Sequence, residues 1–338
     1  MRSRRRWSPV IERGLRAVRA LSRAGGVRVA LLVLVAGLAG TPTARAECPP
    51  APQPYTQQEI DDGERLARNR GFLFEVRKGG RLSYLYGTTH IGRRDWVFLG
   101  PLVIAALGSV DRVALELDLG DADVLQRLQA GVQRRADSPA LPADLEQRLG
   151  AARQAACADE LAALRPEFQV VGLAGLALRP DGFDPAYGVD AVIAEFAAAS
   201  GKPVLGLETP EAQLALLLRD DATAVAELVG STLDELARPQ TRTSMLRLMQ
   251  AWDEGDLGTL RRYESWCDCL NTPLERQQWA ALLDGRNPAM LEQLVQWHEG
   301  GERLFVAVGA LHLVGPQGLP ALLEARGFEV RRVLYPRQ

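Results

Sequence analysis

A chain of 338 residues with 47% apolar and 24% charged side chains can bury one large core without a metal or disulfide to hold it, and it shows no repeat of solenoid length. Its formal charge of −2 hides an asymmetry: the first 46 residues hold ten Arg against one acid, and the other 292 carry 30 basic and 41 acidic side chains. With no basic cluster after position 46, nucleic-acid binding lacks electrostatic support and an anionic membrane surface would repel the chain.

The basic start, the apolar residues 29–40 and Ala44-Arg45-Ala46 together predict an export signal cleaved near Ala46. The apolar run falls short of the roughly 20 residues that cross a bilayer, so no stable membrane span is expected after cleavage. Ser3-Arg4-Arg5-Arg6-Trp7 has a faint twin-arginine shape, too far from the apolar run, and Arg45-Ala46-Glu47 lacks the small residues a lipid-attachment site at Cys48 requires. Export implies an oxidising compartment, and therefore two disulfides among Cys48, Cys157, Cys267 and Cys269. Cys267-Asp268-Cys269 is too short to favour a bridge within itself, so each cysteine is expected to reach a distant partner. A zinc site on that pair has one intervening residue where two to four are usual, and no second pair.

Residues 47–70 read as a Pro-rich segment and a polar helix (57–70), with one domain over 71–338. Residues 72–76 and 82–86 form a hairpin about Gly79-Gly80. Gly87-Thr88-Thr89-His90 follows it, then a helix (101–107) and a strand (112–117) with Glu116 and Asp118 at its end. Residues 122–165 carry helical spacing, and 169–173 fit strand or helix. The turn from Asp184 to Asp190 opens a helix to Ser200, and its Tyr187 and Asp190 either line a site or simply build the turn. Residues 202–207 read as a buried strand ending in Glu208, and Thr209-Pro210-Glu211 opens a helix. Helical pattern dominates 222–297, with Arg286-Asn287 between two helices. Strand pattern returns at 304–308, before Gly309-Ala310-Leu311-His312, a helix (319–325), a Gly327 cap and a strand (329–334). The expected architecture is α/β: a central mixed β-sheet flanked by helices, with a largely helical insertion, about 220–300, between the two Gly-x-x-His halves.

Two of only three histidines thus share one local frame, each just past the carboxyl end of a strand, where open α/β sheets place ligands. Either alone would pass for a structural residue; the pair predicts one shared site. Glu116 and Glu208 also stand at strand ends. His90, His312 and Glu116 make a two-His, one-carboxylate metal set, for zinc or a harder ion such as manganese. Glu208 is the candidate general base, against helix capping as its plainer role. Arg286 is a candidate clamp or oxyanion stabiliser, against a helix-end role. His298, at a helix end, is expected to face solvent and take no part in catalysis. No His-Glu-x-x-His, Gly-x-Ser-x-Gly, phosphate loop or dinucleotide fingerprint is present.

At Tyr86-Gly87-Thr88-Thr89-His90-Ile91-Gly92, Leu115-Glu116-Leu117-Asp118, Gly206-Leu207-Glu208-Thr209-Pro210, Arg286-Asn287 and Val308-Gly309-Ala310-Leu311-His312-Leu313, the chain resembles the TraB/PrgY/GumN family. The resemblance implies an α/β domain related to Tiki-type proteins, regarded as metal-dependent peptidases. It implies a divalent metal (manganese, zinc or cobalt) on His90, His312 and Glu116, and a peptide or protein substrate. Related folds also occur in haem-binding ChaN-like proteins and erythromycin esterase-like enzymes, so a non-catalytic binder of haem, peptide or glycan, or an accessory protein of envelope assembly, is implied as the alternative.

Overall fold

The computed structural model describes Cys48, residues 52–219 and residues 221–336; the expected export signal lies outside the described residues. Gly79 and Gly80, with φ of +58° and +75°, make the turn that folds β1 (Phe72–Lys78) back on β2 (Arg81–Thr88), pairing Phe72 with Gly87 and Lys78 with Arg81. The remaining strands are β3 (Gly92–Arg93), β4 (Arg112–Leu115), β5 (Phe183–Asp184), β6 (Val204–Gly206), β7 (Leu304–Gly309) and β8 (Glu329–Arg332). Six of them form one mixed sheet in the order β6-β4-β7-β2-β1-β8, and β3 and β5 form a two-stranded ribbon. Strands β6, β4, β7 and β2 run parallel, while β1 is antiparallel to both its neighbours. This is the α/β fold with a central mixed sheet that the sequence predicts.

β7 is apolar without alternation because Leu304 to Val308 are buried on both faces of the sheet. β6 departs from the expected buried strand at 202–207: it is three residues long and half-buried, because it is the edge strand and pairs only with β4. Residues 169–173, open between strand and helix, lie inside the helix Pro166–Leu176, where Pro166 opens the first turn and Val170 and Leu173 supply a buried face. The predicted polar helix is Gln57–Leu66, with a Thr56/Glu59 capping box.

The main core joins the sheet to the helices Pro239–Glu254 and Asn287–Glu299 through Met249, Trp252, Met290 and Leu294. Trp252 packs against Trp96 with ring centroids 4.6 Å apart and the planes tilted by 34°, and it donates its indole N–H to the Gly87 carbonyl (2.8 Å), fixing the end of β2. A second core of Leu149, Val170, Val225 and Val229 holds together the helices Ala143–Ala155, Pro166–Leu176 and Ala222–Ala237.

Two expectations are overturned. Cys267 and Cys269 are bonded to each other, which also removes the zinc alternative; the cause is Asp268, whose φ of +54° reverses the backbone and leaves the two Cα atoms 5.1 Å apart. Cys48 reaches Cys157, 109 positions away. His298 does not face solvent: it is fully buried, its Nε2–H donating to the Lys78 carbonyl (3.1 Å) and its Nδ1 accepting from the Ser83 hydroxyl (2.8 Å). Ser83 in turn accepts from the Leu304 N–H of β7, so this imidazole joins β1 to β2 and orients the hydroxyl that ties β2 to β7; burial lowers its pKa. Among the described residues no helix is long and apolar enough to cross a membrane.

Candidate functional site

Parallel register delivers four strand ends to one edge of the sheet: Thr88 lies beside Gly309, Leu115 beside Ala307, and Leu115 also beside Gly206. His90, His312, Glu116 and Glu208 each follow within three residues. Beyond the last rungs the pairing continues through the Glu208 N–H, which donates to the Glu116 carbonyl (3.0 Å).

The two Gly-x-x-His segments use their first glycines differently. A methyl group at Gly87 would stand 2.7 Å from Leu313 Cδ1 and 3.1 Å from Ala310 Cα, so Gly87 lets the second histidine's turn pack onto β2. A methyl group at Gly309 would stand 3.4 Å from Glu116 Oε1, 3.7 Å from His312 Cδ2 and 3.8 Å from His90 Nε2. The absent side chain of Gly309 therefore leaves the space around which all three candidate ligands gather.

His90 is aimed by its neighbours. The Thr89 hydroxyl donates to the Ile91 carbonyl, and the Val189 N–H to the Thr89 carbonyl. The β3–β5 ribbon clamps the loop against the turn before the helix Val189–Ala199, so closely that a methyl at Gly92 would meet the Tyr187 carbonyl at 2.2 Å. This brings Asp190 Oδ2 to 3.3 Å from His90 Nδ1. Although the imidazole keeps 66% exposure in an open cleft, enough protein surrounds it for desolvation to oppose its charge; the hydrogen bond and charge of Asp190 outweigh that and raise its pKa to about 9.

His312 is buried in the turn Ala310–Leu313. Asn287 Nδ2 donates to the Gln317 carbonyl (2.7 Å), so Asn287 Oδ1 faces His312 Nδ1 (2.6 Å) as an acceptor. The proton therefore sits on Nδ1 and the Nε2 lone pair points into the site. Burial lowers the His312 pKa to about 4, with the charge of Glu116 opposing it and that of Arg286 adding to it.

Arg286 ties the carboxylates together. Its guanidinium holds Glu208 through two parallel bonds (Nε to Oε1, 2.9 Å), reaches Glu116 Oε2 through Nη2, and places Nη1 3.2 Å from His312 Nε2. Desolvation would raise the Glu116 pKa, but His90, His312, Arg286 and the Gly309 N–H hold it down to about 2. Glu208 does not cap its helix: Thr209 does, accepting from the Ala212 N–H, and Glu208 accepts instead from Gln213 Nε2 (3.0 Å) and Arg286.

The residue types here are ones that can hold a divalent cation once His90, whose pKa is raised to about 9, gives up its Nε2 proton. Two imidazoles, each with its Nδ1 engaged by an oxygen acceptor, and one deprotonated carboxylate border the space at Gly309. Among the described residues no three His, Cys, Asp or Glu stand at coordination distances, and Arg286 holds both Glu116 and the His312 lone pair. A cation entering there has to displace that guanidinium.

His90, Glu116, Glu208, Arg286 and His312, all singled out from sequence, share this one site. Asp190 joins them, 3.3 Å from His90 Nδ1. Tyr187 does not; its hydroxyl meets Arg94 Nη1 at 3.4 Å. Asp118 turns back to accept from the Gly120 N–H, and His298 lies in the core. Sequence reasoning missed two features. Gln213, five residues past Glu208, was detectable as the first side chain to come back over that carboxylate. A cavity of about 740 Å³ opens beside the site, and its signal was the spacing of Ala191, Ala194 and Ala198, which leaves one face of their helix without bulk.

Beyond the geometry, the chain is similar to YbaP of Shigella flexneri and to YbaP of Escherichia coli (strain K12), both described as uncharacterized proteins. Each is 26% identical over 258 residues, which cover 72% of this chain and 89% of the relative. No solved structure matches. The sequence profile of the TraB/PrgY/gumN family matches residues 72–332, from the first residue of β1 to the last of β8. Both Gly-x-x-His turns and every residue of the candidate site lie inside that span: the chain belongs to the TraB/PrgY/gumN family.

Proposed function

We propose that this protein is an exported metal-dependent hydrolase, a peptidase, in which His90, Glu116 and His312 hold a divalent cation. The observation that carries the reading is the space at Gly309, bordered by both imidazoles and a carboxylate kept ionised. A divalent cation there would polarise a substrate carbonyl and make water nucleophilic near neutral pH. The chain's own groups supply the rest. Displaced from Glu116 and His312, Arg286 turns its donors to the oxygen that becomes negative as water adds to the carbonyl carbon. Glu208, released from the guanidinium, accepts the proton of that water and returns it to the departing amine as the C–N bond breaks. The two disulfides and the signal-like first 46 residues support action outside the cytoplasm.

Metal analysis of the purified protein tests this. About one divalent ion per chain is expected, falling to background in the His90→Ala, His312→Ala double variant, with metal-dependent cleavage of a peptide library by the wild type only. Full metal retention in the folded double variant would overturn the assignment.

A further inference from the structure

The cavity beside the site differs from the site in character. Its polar end holds Thr88, His90, Glu116, Asp190 and Arg286; apart from Glu195 and Gln213 the rest is apolar, and three of its residues, Leu119, Val171 and Leu282, are large hydrophobics left 53%, 43% and 37% exposed. Soluble surfaces rarely cluster such side chains without an occupant. At roughly 30 Å³ for a water-sized group, about 740 Å³ has room for on the order of two dozen non-hydrogen atoms, several times any single side chain.

Two observations decide what kind of occupant fits. The strands that contribute to the lining, β2, β4 and β7, are each paired on both sides, and the edge strand β6 contributes nothing. The other walls are largely helix faces whose backbone groups are spent within their helices. An extended peptide therefore finds no ladder to join, although an apolar chain needs none. Across the lining three carboxylates, Glu116, Asp190 and Glu195, face two basic groups, the Arg286 guanidinium and the His90 imidazole, an excess of acid that disfavours an anionic head. The hydroxyl of Thr88 is buried there without a hydrogen-bond partner, a donor suited to a neutral carbonyl oxygen.

We infer that the cavity receives a long acyl chain whose carbonyl, an ester or amide rather than a free acid, sits at the Thr88 end. The inference deepens the hydrolase reading and rests on it only for the step that cleaves that bond.

The test uses the full chain and a series of N-acyl glycinamides of 8 to 16 carbons, kept below their aggregation limits and followed by calorimetry. Affinity should rise about two- to fourfold per methylene until the cavity is full. Dodecanoate should bind at least tenfold more weakly than N-dodecanoyl glycinamide. Ala194→Trp, and Ala198→Trp as a milder plug should the first fail to fold, should each lower affinity at least tenfold. Affinity independent of chain length, folded plug variants that bind like wild type, or a dimer that buries Leu119, Val171 and Leu282 between two copies would overturn the inference. The His90→Ala, His312→Ala variant separates the two readings. Retained chain-length dependence with no turnover in any form of the protein leaves the acyl site standing without the hydrolase. Cleavage of unacylated peptides with no acyl preference leaves the hydrolase without the acyl site.

Discussion

Arg286 carries more of the site than any other residue, because it alone neutralises two buried carboxylates, Glu116 at 11% and Glu208 at 6% side-chain exposure. Arg286→Met takes from Glu208 its ion-pair partner, and leaving a buried charge uncompensated costs about 3–5 kcal/mol. Chemical denaturation should show a loss of that order. Arg286→Lys should recover only part of it, since an ammonium cannot reproduce the two-pronged bond to Glu208. His312 gives the site a pH dependence of its own. Its folded pKa of about 4 lies below the ordinary 6.5, so the buried neutral ring contributes its full stability above pH 6.5. As pH falls from 6.5 to 4 the unfolded chain takes up a proton that the native one refuses, and about 3 kcal/mol is lost. Denaturation of metal-free protein across that window should be flatter for His312→Gln, which cannot titrate. The identities of these residues were legible in the sequence, because rare histidines and strand-end acids stand out. Their protonation states were not: the tautomer of His312 depends on Asn287 facing a carbonyl thirty positions further along, at Gln317.

Among the elements, the turns matter more than the strands that lead into them. Gly92 and Gly309 predict opposite outcomes for the same change. Gly92→Ala drives a methyl into the Tyr187 carbonyl, a backbone atom, and should break the β3–β5 ribbon, lower stability by about 2 kcal/mol or more and detach His90 from Asp190. Gly309→Ala meets ordinary contact distances and a compatible backbone, so stability should change by less than about 1 kcal/mol, while the methyl fills the space between the candidate ligands and metal binding is lost. Thermal melts paired with metal analysis distinguish the two variants. Periodicity and turn residues revealed nearly every element, yet not how each is used. The run at 202–207 has the composition of a buried strand and became a half-buried edge, because nothing local says which strand lies outermost. Cys267-Asp268-Cys269 read as too short to favour a bridge, and the positive φ of Asp268, which no sequence pattern announces, is what lets it close.

At the scale of the whole molecule, the Cys48–Cys157 bond fastens the start of the described chain next to the end of the helix Ala143–Ala155. It closes a loop that spans 109 positions and takes in β1, β2 and β4. Replacing both cysteines by Ser should lower stability by about 2–5 kcal/mol, measurable as an earlier urea midpoint. The Cys267–Cys269 pair closes almost no loop, and its removal should cost far less. A mixed sheet with helices between its parallel strands was foreseeable from sequence. The second core of Leu149, Val170, Val225 and Val229 was not, because its helices carry the same apolar spacing as those that pack on the sheet.

The common direction of β2, β7, β4 and β6 has a consequence for how this fold can vary over evolution. Each functional side chain stands at a fixed number of steps past a strand end, and neighbouring ends are held one ladder spacing apart, about 4.8 Å. Connections between the strands can therefore lengthen, shorten or be rebuilt while the constellation stays in place. A single residue gained or lost inside β4 or β7 would turn Glu116 or His312 toward the opposite face and dismantle it.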